Sequence, residues 1–284
     1  MPDRVALIGV GAMGRALLVR LRAAGNDVQA YDVSPVALQA ARDGGAAVTA
    51  SPAEAARGTA YVHVMVASDD ETMQAMLGPD GVLATAAPGT MVFLHGTVLP
   101  ATTRRIAEAA AENKVDVLDA PITAVPKRLE KGEAAFMLGG PQALADKARG
   151  HLLQIADAVH HYGPLGAGNV AKLARALINA GERVLIAEAL AIVEAGGVDP
   201  RQFLQIESAG GRPSKLSLWE DIFIIEDGHA RHRPATNLFN KDVLLAAELA
   251  GSYGLDAPLS HGAARTVKRW VQEWAKLPAL EKGE

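Results

Sequence analysis

The stretch Val5-Ala6-Leu7-Ile8-Gly9-Val10-Gly11-Ala12-Met13-Gly14 decides the fold, because an apolar run turns through glycines into a helical pattern that ends at Gly25. It predicts strand, phosphate loop and helix in succession. Gly9 permits the tight turn out of the strand. Gly11 lets the backbone approach a diphosphate without an intervening Cβ, and Gly14 lets the helix pack close to the sheet. The diphosphate then rests on the free N–H groups and positive dipole end of a helix running from about Met13, with Ala12 and Met13 both expected to bind the cofactor. A second apolar stretch around Val28 closes on Asp32, where a βαβ dinucleotide unit places the acid that grips the adenosine ribose. The glycine pattern alone matches many strand-to-helix turns; strand, helix and acid together favour a nicotinamide or flavin dinucleotide. Asp32 suits ribose hydroxyls and repels a 2′-phosphate, and Val33-Ser34-Pro35 offers no arginine to hold one. NAD is therefore favoured over NADP.

The remaining composition fits an enzyme of two parts. A chain of 284 residues with 49% hydrophobic content can bury one or two cores. The net charge of −4 gives no basic footprint, which excludes nucleic acid as the expected partner. The absence of cysteine excludes disulfides, thiolate nucleophiles and cysteine-ligated zinc. No apolar run approaches the roughly 18 residues that span a bilayer. The first strand begins almost at once, leaving no room for a leader, so no membrane partner is expected and cytoplasmic residence is.

The texture changes once along the chain. Up to Pro164, β-type runs at Tyr61–Val66, Met91–Leu94, Val115–Leu118, Ala134–Leu138 and Ala158–Tyr162 alternate with alanine-rich amphipathic stretches. That alternation predicts a doubly wound parallel sheet. After Gly168 the strand signals stop, and good helix formers run from Asn169 to about Ala195, ending at Gly196-Gly197. Further helices are expected, punctuated by Pro200, Gly210-Gly211, Pro234 and Pro258. The expected domains are residues 1–164, α/β and dinucleotide-binding, and residues 165–284, all-α and begun by a long interdomain helix.

Lys172 falls in the first turn of that helix, after the flexible Gly166-Ala167-Gly168. A helical lysine is ordinarily just solvated. Here it faces the expected interdomain cleft, the kind of place where cofactor chemistry is assembled. Arg175 and Asn179 follow at i+3 and i+7 and share its face. To take a proton from an alcohol near neutral pH, Lys172 needs a pKa below the free-lysine value of about 10.4. Partial burial and a neighbouring cation such as Arg175 would both lower it.

These residues carry a resemblance. The chain resembles the β-hydroxyacid dehydrogenase family, which includes 3-hydroxyisobutyrate dehydrogenase, tartronate semialdehyde reductase and, more distantly, 6-phosphogluconate dehydrogenase. The matching segments are the Gly9–Gly14 loop with its Met13, Val64-Met65-Val66-Ala67, Thr97-Val98-Leu99-Pro100, Asp119-Ala120-Pro121-Ile122-Thr123, Gly166-x-Gly168-x-x-x-Lys172 and Lys241-Asp242. They span most of the chain in order. The resemblance implies a Rossmann-type first domain and a homodimer or homotetramer acting on a small molecule. It also implies Lys172 as the general acid/base that exchanges the hydroxyl proton as hydride passes to or from the nicotinamide. Backbone contacts to the cofactor fall on Val66 and Ala67, the threonine near the nicotinamide on Thr97, and the lysine closing over it on Lys241. Substrate anchoring falls on Thr123, Ala124 and Val125.

The departures lie on the substrate side. The family's asparagine four residues after the lysine is Ala176 here, so Arg175 or Asn179 would have to substitute. The family's Ser-Gly-Gly is Thr123-Ala124-Val125, which adds apolar bulk where a substrate carboxylate would meet bare backbone. Together they point away from a standard small 3-hydroxy acid.

Eight histidines invite metal or catalytic readings. His229 and His232 have near-ligand spacing, but Arg231 and Arg233 would repel a cation, so a polar loop and no metal are expected. His160 and His161 read as a strand end. His95 precedes Gly96-Thr97, and either a contact with the nicotinamide end or a structural role fits it. Two rivals stand beside the dehydrogenase. One is imine reduction with NADPH, because Ala120–Pro126 is similar to the corresponding imine reductase segment, although Lys172 argues against it. The other is a non-catalytic dinucleotide-binding protein on the same scaffold.

Overall fold

A computed structural model describes residues 3–209, 223–226, 229–232, 237–254 and 258–274. The first half alternates strand and helix: β1 (Arg4–Ile8), α1 (Ala12–Ala23), β2 (Asp27–Tyr31), α2 (Pro35–Asp43), β3 (Ala47–Val48), α3 (Pro52–Ala56), β4 (Tyr61–Val64) and α4 (Asp69–Leu77). The pattern continues through β5 (Met91–Leu94), α5 (Pro100–Glu112), β6 (Asp116–Asp119), α6 (Pro126–Glu130), β7 (Ala135–Gly139), α7 (Gln142–Leu152) and β8 (Ala158–Gly163). Then come α8 (Ala167–Ala195), α9 (Pro200–Ala209), β9 (Phe223–Glu226), β10 (His229–His232), α10 (Asn237–Ser252) and α11 (Pro258–Trp274).

The sheet runs β3-β2-β1-β4-β5-β6-β7-β8. Every pairing is parallel except β6 with β7, so the expected parallel sheet carries one reversed junction. Strand alternation sends Val5, Leu7, Met91 and Phe93 to one face and Ala6, Ile8, Val92 and Leu94 to the other. The first face packs residues of α1, α2, α6 and α7, and the second packs α3, α4 and α5. Burial on both faces is why these strands read as continuous apolar runs.

Two compact units, Met1–Lys172 and Leu173–Glu284, divide inside α8. Within the second unit, Ala180 and Val184 of α8 pack with Val243, Ala263 and Val267 of α10 and α11. This unit is helical, with one correction: residues 223–226 and 229–232 form an antiparallel hairpin. The polar loop expected around His229 and His232 is therefore in part a strand. Gly210-Gly211, Asp227-Gly228, Arg233 and Pro234 lie outside the described residues. Among the described residues, no helix is long and apolar enough to cross a membrane.

Candidate active site

The order 3-2-1-4 reverses direction between β1 and β4, and a crevice forms there at the carboxyl ends of the strands. Gly9 turns the chain at φ +93°, with its amide donating to Tyr31 O at 2.8 Å. A side chain at Gly9 would collide with Met65 O, and one at Gly14 with Gly9 O. A Cβ at Gly11 would meet nothing, so the loop is open on the side where a diphosphate would lie. The first turn of α1 starts from this loop, with Ala12 exposed and Met13 half-buried.

Asp32 is fixed before any ligand arrives. Its Oδ2 accepts from Val10 N at 2.6 Å and its Oδ1 from Ser34 N at 2.8 Å. Each oxygen keeps a further lone pair for a ribose hydroxyl. A cavity of about 830 Å³ brings together Gly9, Gly11, Asp32, Val66 and Ala67 from the expected cofactor set. It also gathers acids that were not singled out from the sequence, Asp70, Glu71 and Asp80. For Glu71 the signal was the capping motif Ser68-x-x-Glu71: Ser68 Oγ accepts from Glu71 N at 3.2 Å, and Glu71 Oε2 accepts from Ala67 N at 2.7 Å. Ser51-x-x-Glu54 opens α3 in the same way. Among the described residues, no lysine or arginine lines this cavity. The turn, the open glycine and the fixed acid fit a dinucleotide.

The second cluster grows from the end of β6. Asp119 is fully buried, and its Oδ1 and Oδ2 accept from Gly166 N at 2.7 Å and Asn169 N at 2.8 Å. Burial pushes its carboxyl up from the ordinary range, while these N–H bonds pull it down. Three residues on, Ile122 O accepts from Lys172 Nζ at 2.7 Å. Asn169 Oδ1 accepts from Val98 N at 3.2 Å, and its Nδ2 donates to Thr103 Oγ1 at 3.3 Å. Asp69 Oδ1 accepts from Leu99 N at 3.0 Å and from Thr102 Oγ1. The loop after half-buried Thr97 is thus tied from two sides. Asp119 and Asn169 were legible only as members of matching segments; their roles come from contacts about 50 residues apart.

On the substrate segment, Thr123 Oγ1 donates to Ala135 O at 3.3 Å, Ala124 is half-buried, and Val125 is 59% exposed. Along α8, Arg175 is exposed, Ala176 buried and Asn179 half-buried. Lys241 lies on α10 with its Nζ 3.6 Å from Asp242 Oδ1.

Of the two roles open to His95, the structure supports the structural one. The ring is buried, and its Nδ1 lies 2.7 Å from Ala120 O. A carbonyl only accepts, so Nδ1 carries the proton and Nε2 of the neutral ring accepts. His63 Nδ1 donates to that Nε2 at 2.8 Å, which leaves His63 Nε2 to accept from His151 Nε2 at 3.0 Å. The chain ends at His151 Nδ1, which is buried, carries the lone pair of a neutral ring and meets no hydrogen-bond partner among the described residues. Burial holds His95 and His151 at about 4, and His63 well below its ordinary value.

Comparison with known proteins agrees with this geometry. Residues 4–163 match the NAD binding domain of 6-phosphogluconate dehydrogenase. Residues 166–276 match the NAD-binding region of NADP-dependent 3-hydroxyisobutyrate dehydrogenase. The chain is 30% identical to the NAD-dependent L-serine dehydrogenase of Pseudomonas aeruginosa, over 90% of this chain and 88% of that one. The solved 3-hydroxyisobutyrate dehydrogenase of Mycobacterium tuberculosis with L-serine superposes at a TM-score of 0.82 and 26% identity, covering 98% and 96% of the two chains. An imine reductase variant from Myxococcus stipitatus shares the fold at a TM-score of 0.66 and 20% identity, over 96% and 95%.

Proposed function

The chain belongs to the β-hydroxyacid dehydrogenase family as an NAD(P)-dependent enzyme acting on a hydroxyl group, and from that premise we propose Lys172 as its general acid/base. The observation that carries this reading is the 2.7 Å bond from Lys172 Nζ to Ile122 O, beside the segment that resembles the family's substrate loop. In its neutral form the amine donates one N–H to that carbonyl and keeps a lone pair for the substrate O–H. The bound dinucleotide supplies the hydride acceptor. As the C–H bond gives up its hydride, the hydroxyl proton moves to Nζ and the carbon–oxygen bond becomes a carbonyl; reduction reverses both transfers.

NAD is the proposed cofactor. Asp32, Asp70, Glu71 and Asp80 line the adenosine side, and among the described residues no cation stands there to offset a 2′-phosphate. Thr97 and Lys241 are proposed at the nicotinamide end. Thr123, Ala124 and Val125 are proposed as the substrate anchor, with Arg175 or Asn179 in place of the family's asparagine. Exposed Val125 favours a hydroxy acid other than the standard small 3-hydroxy acid. A homodimer or homotetramer fits the exposed Ile178, Leu185 and Leu259 of the second unit. Imine reduction is the weaker reading, because that likeness is one of fold.

The test is Lys172→Ala on a panel of hydroxy acids containing L-serine and 3-hydroxyisobutyrate, with cyclic imines alongside. We expect kcat to fall by about three orders of magnitude or more, while NAD affinity stays within about twofold. Retained turnover refutes the assignment, and turnover of imines alone transfers it to the rival chemistry.

A further inference from the structure

We propose that Asp119 is the positioning residue for Lys172, its carboxylate clamping the amino end of α8 so that Nζ reaches Ile122 O; this rests on Lys172 being the proton-transfer group. The segment 119–122 grips α8 at both ends of one turn and a half. Asp119 takes the N–H groups of Gly166 and Asn169, and Ile122 O takes the tip of Lys172, three residues beyond Asn169. With the first turn of the helix held and the side-chain tip held, little conformational freedom remains to the lysine between them.

The clamp is a built feature. A Cβ at Gly139 would run into Asp119 Oδ1, and a Cβ at Gly168 would run into Met137 O and lie 2.9 Å from Asp119 Oδ2. The glycine of Gly166-x-Gly168 is therefore required for helix, strand and carboxylate to come together. A carboxylate accepts from both amides at once, whereas an asparagine offers one oxygen and sets an NH2 group against the other N–H. The same buried carboxylate reaches the other side of the chemistry, because Asn169, which donates to Asp119, also receives Val98 N next to Thr97. One acid thus ties the lysine to the loop proposed at the nicotinamide.

The experiment is competitive acetylation of the full chain with acetic anhydride at limiting reagent, read by mass spectrometry. Exposed Lys127 serves as the internal reference. In Asp119→Asn we expect the Lys172 labelling rate relative to Lys127 to rise at least about fivefold, with kcat about 100-fold lower, the scale of a misplacement near 1 Å. General loosening would raise labelling at half-buried Lys241 along with Lys172, and that result also overturns the proposal. Gly139→Ala, which displaces the carboxylate without removing its charge, is expected to move Lys172 labelling in the same direction and covers the case in which Asp119→Asn does not fold. Unchanged relative labelling of Lys172 in the folded variants overturns the proposal. Failure of the premise shows separately, as turnover in Lys172→Ala, and does not touch the labelling result.

Discussion

Acid should unfold this enzyme earlier than its carboxylates alone would, because the buried His63–His95–His151 chain is built from neutral rings. Each inner nitrogen pair has one donor and one acceptor, so a proton added to His95 or His63 sets two N–H groups against each other, whereas one added to His151 lands on the buried Nδ1 outside both pairs and is opposed by burial alone. His95 and His151 titrate near 4 in the fold and His63 lower still, whereas an unfolded histidine titrates near 6.5. The folded values are depressed, so the stabilisation is complete above about pH 6.5 and shrinks as pH falls below it; the His95 and His151 shares stop shrinking near about pH 4, and the His63 share lower still. Asp3 partly offsets the effect at His151 by favouring its charged form. Between about pH 7 and pH 5.5, each ring costs about 1.3 kcal/mol of stability, or about 4 kcal/mol for three. Against a typical total of about 5–15 kcal/mol, that is a large fraction. The assay is urea unfolding at several pH values across this window, which stays above the ordinary carboxylate range; the raised Asp119 carboxyl acts with the opposite sign to the histidines. We expect the slope near pH 5.5 to correspond to the uptake of nearly three protons on unfolding, about 4 kcal/mol per pH unit. His151→Phe should remove about a third of that slope. A stability that changes by less than about 1 kcal/mol across the window refutes the neutral chain.

Two further outcomes follow from the cofactor crevice. Asp32→Ala removes the carboxylate that Val10 and Ser34 hold in place, and it should raise the NAD KM about tenfold while narrowing the preference over NADP; a preference left unchanged would move selectivity to Asp70, Glu71 and Asp80. Gly14→Ala drives a methyl group into Gly9 O, and it should cut NAD affinity in a titration by more than tenfold or lower the unfolding midpoint; a variant with wild-type values for both would show that the loop has slack.

The first βαβ unit was legible because its determinants are local. Gly9, Gly11 and Gly14 lie within six residues, and Asp32 follows at the end of the next strand. The strands at 61–64, 91–94 and 135–139 showed themselves as apolar runs because both sheet faces are covered. Direction is a different matter: an apolar run carries no sense along the chain, so the reversed β7 was invisible. Two-residue β3 had no run to read. The Phe223–Glu226 strand is too short to separate from a helical turn by periodicity. The histidine chain joins residues 32 and 88 positions apart and left no local pattern.

That contrast bears on the segments proposed to hold the substrate. Val125 is exposed, and Ala124 donates or accepts no described side-chain hydrogen bond because it has none to offer. Ala176 is buried, and as an alanine it needs no partner there, whereas a buried asparagine must satisfy an amide at both ends. Each of these positions can change for the cost of its own contacts. Asp119 and Asn169 cannot: removing either strands buried amides on Gly166, Asn169 or Val98, at about 1–3 kcal/mol apiece. Divergence should therefore gather at residues 123–125 and 175–179 and spare the polar clamp, so on the proposed reading of these positions as the substrate side they are where the accepted hydroxy acid would be altered without disturbing where Nζ sits.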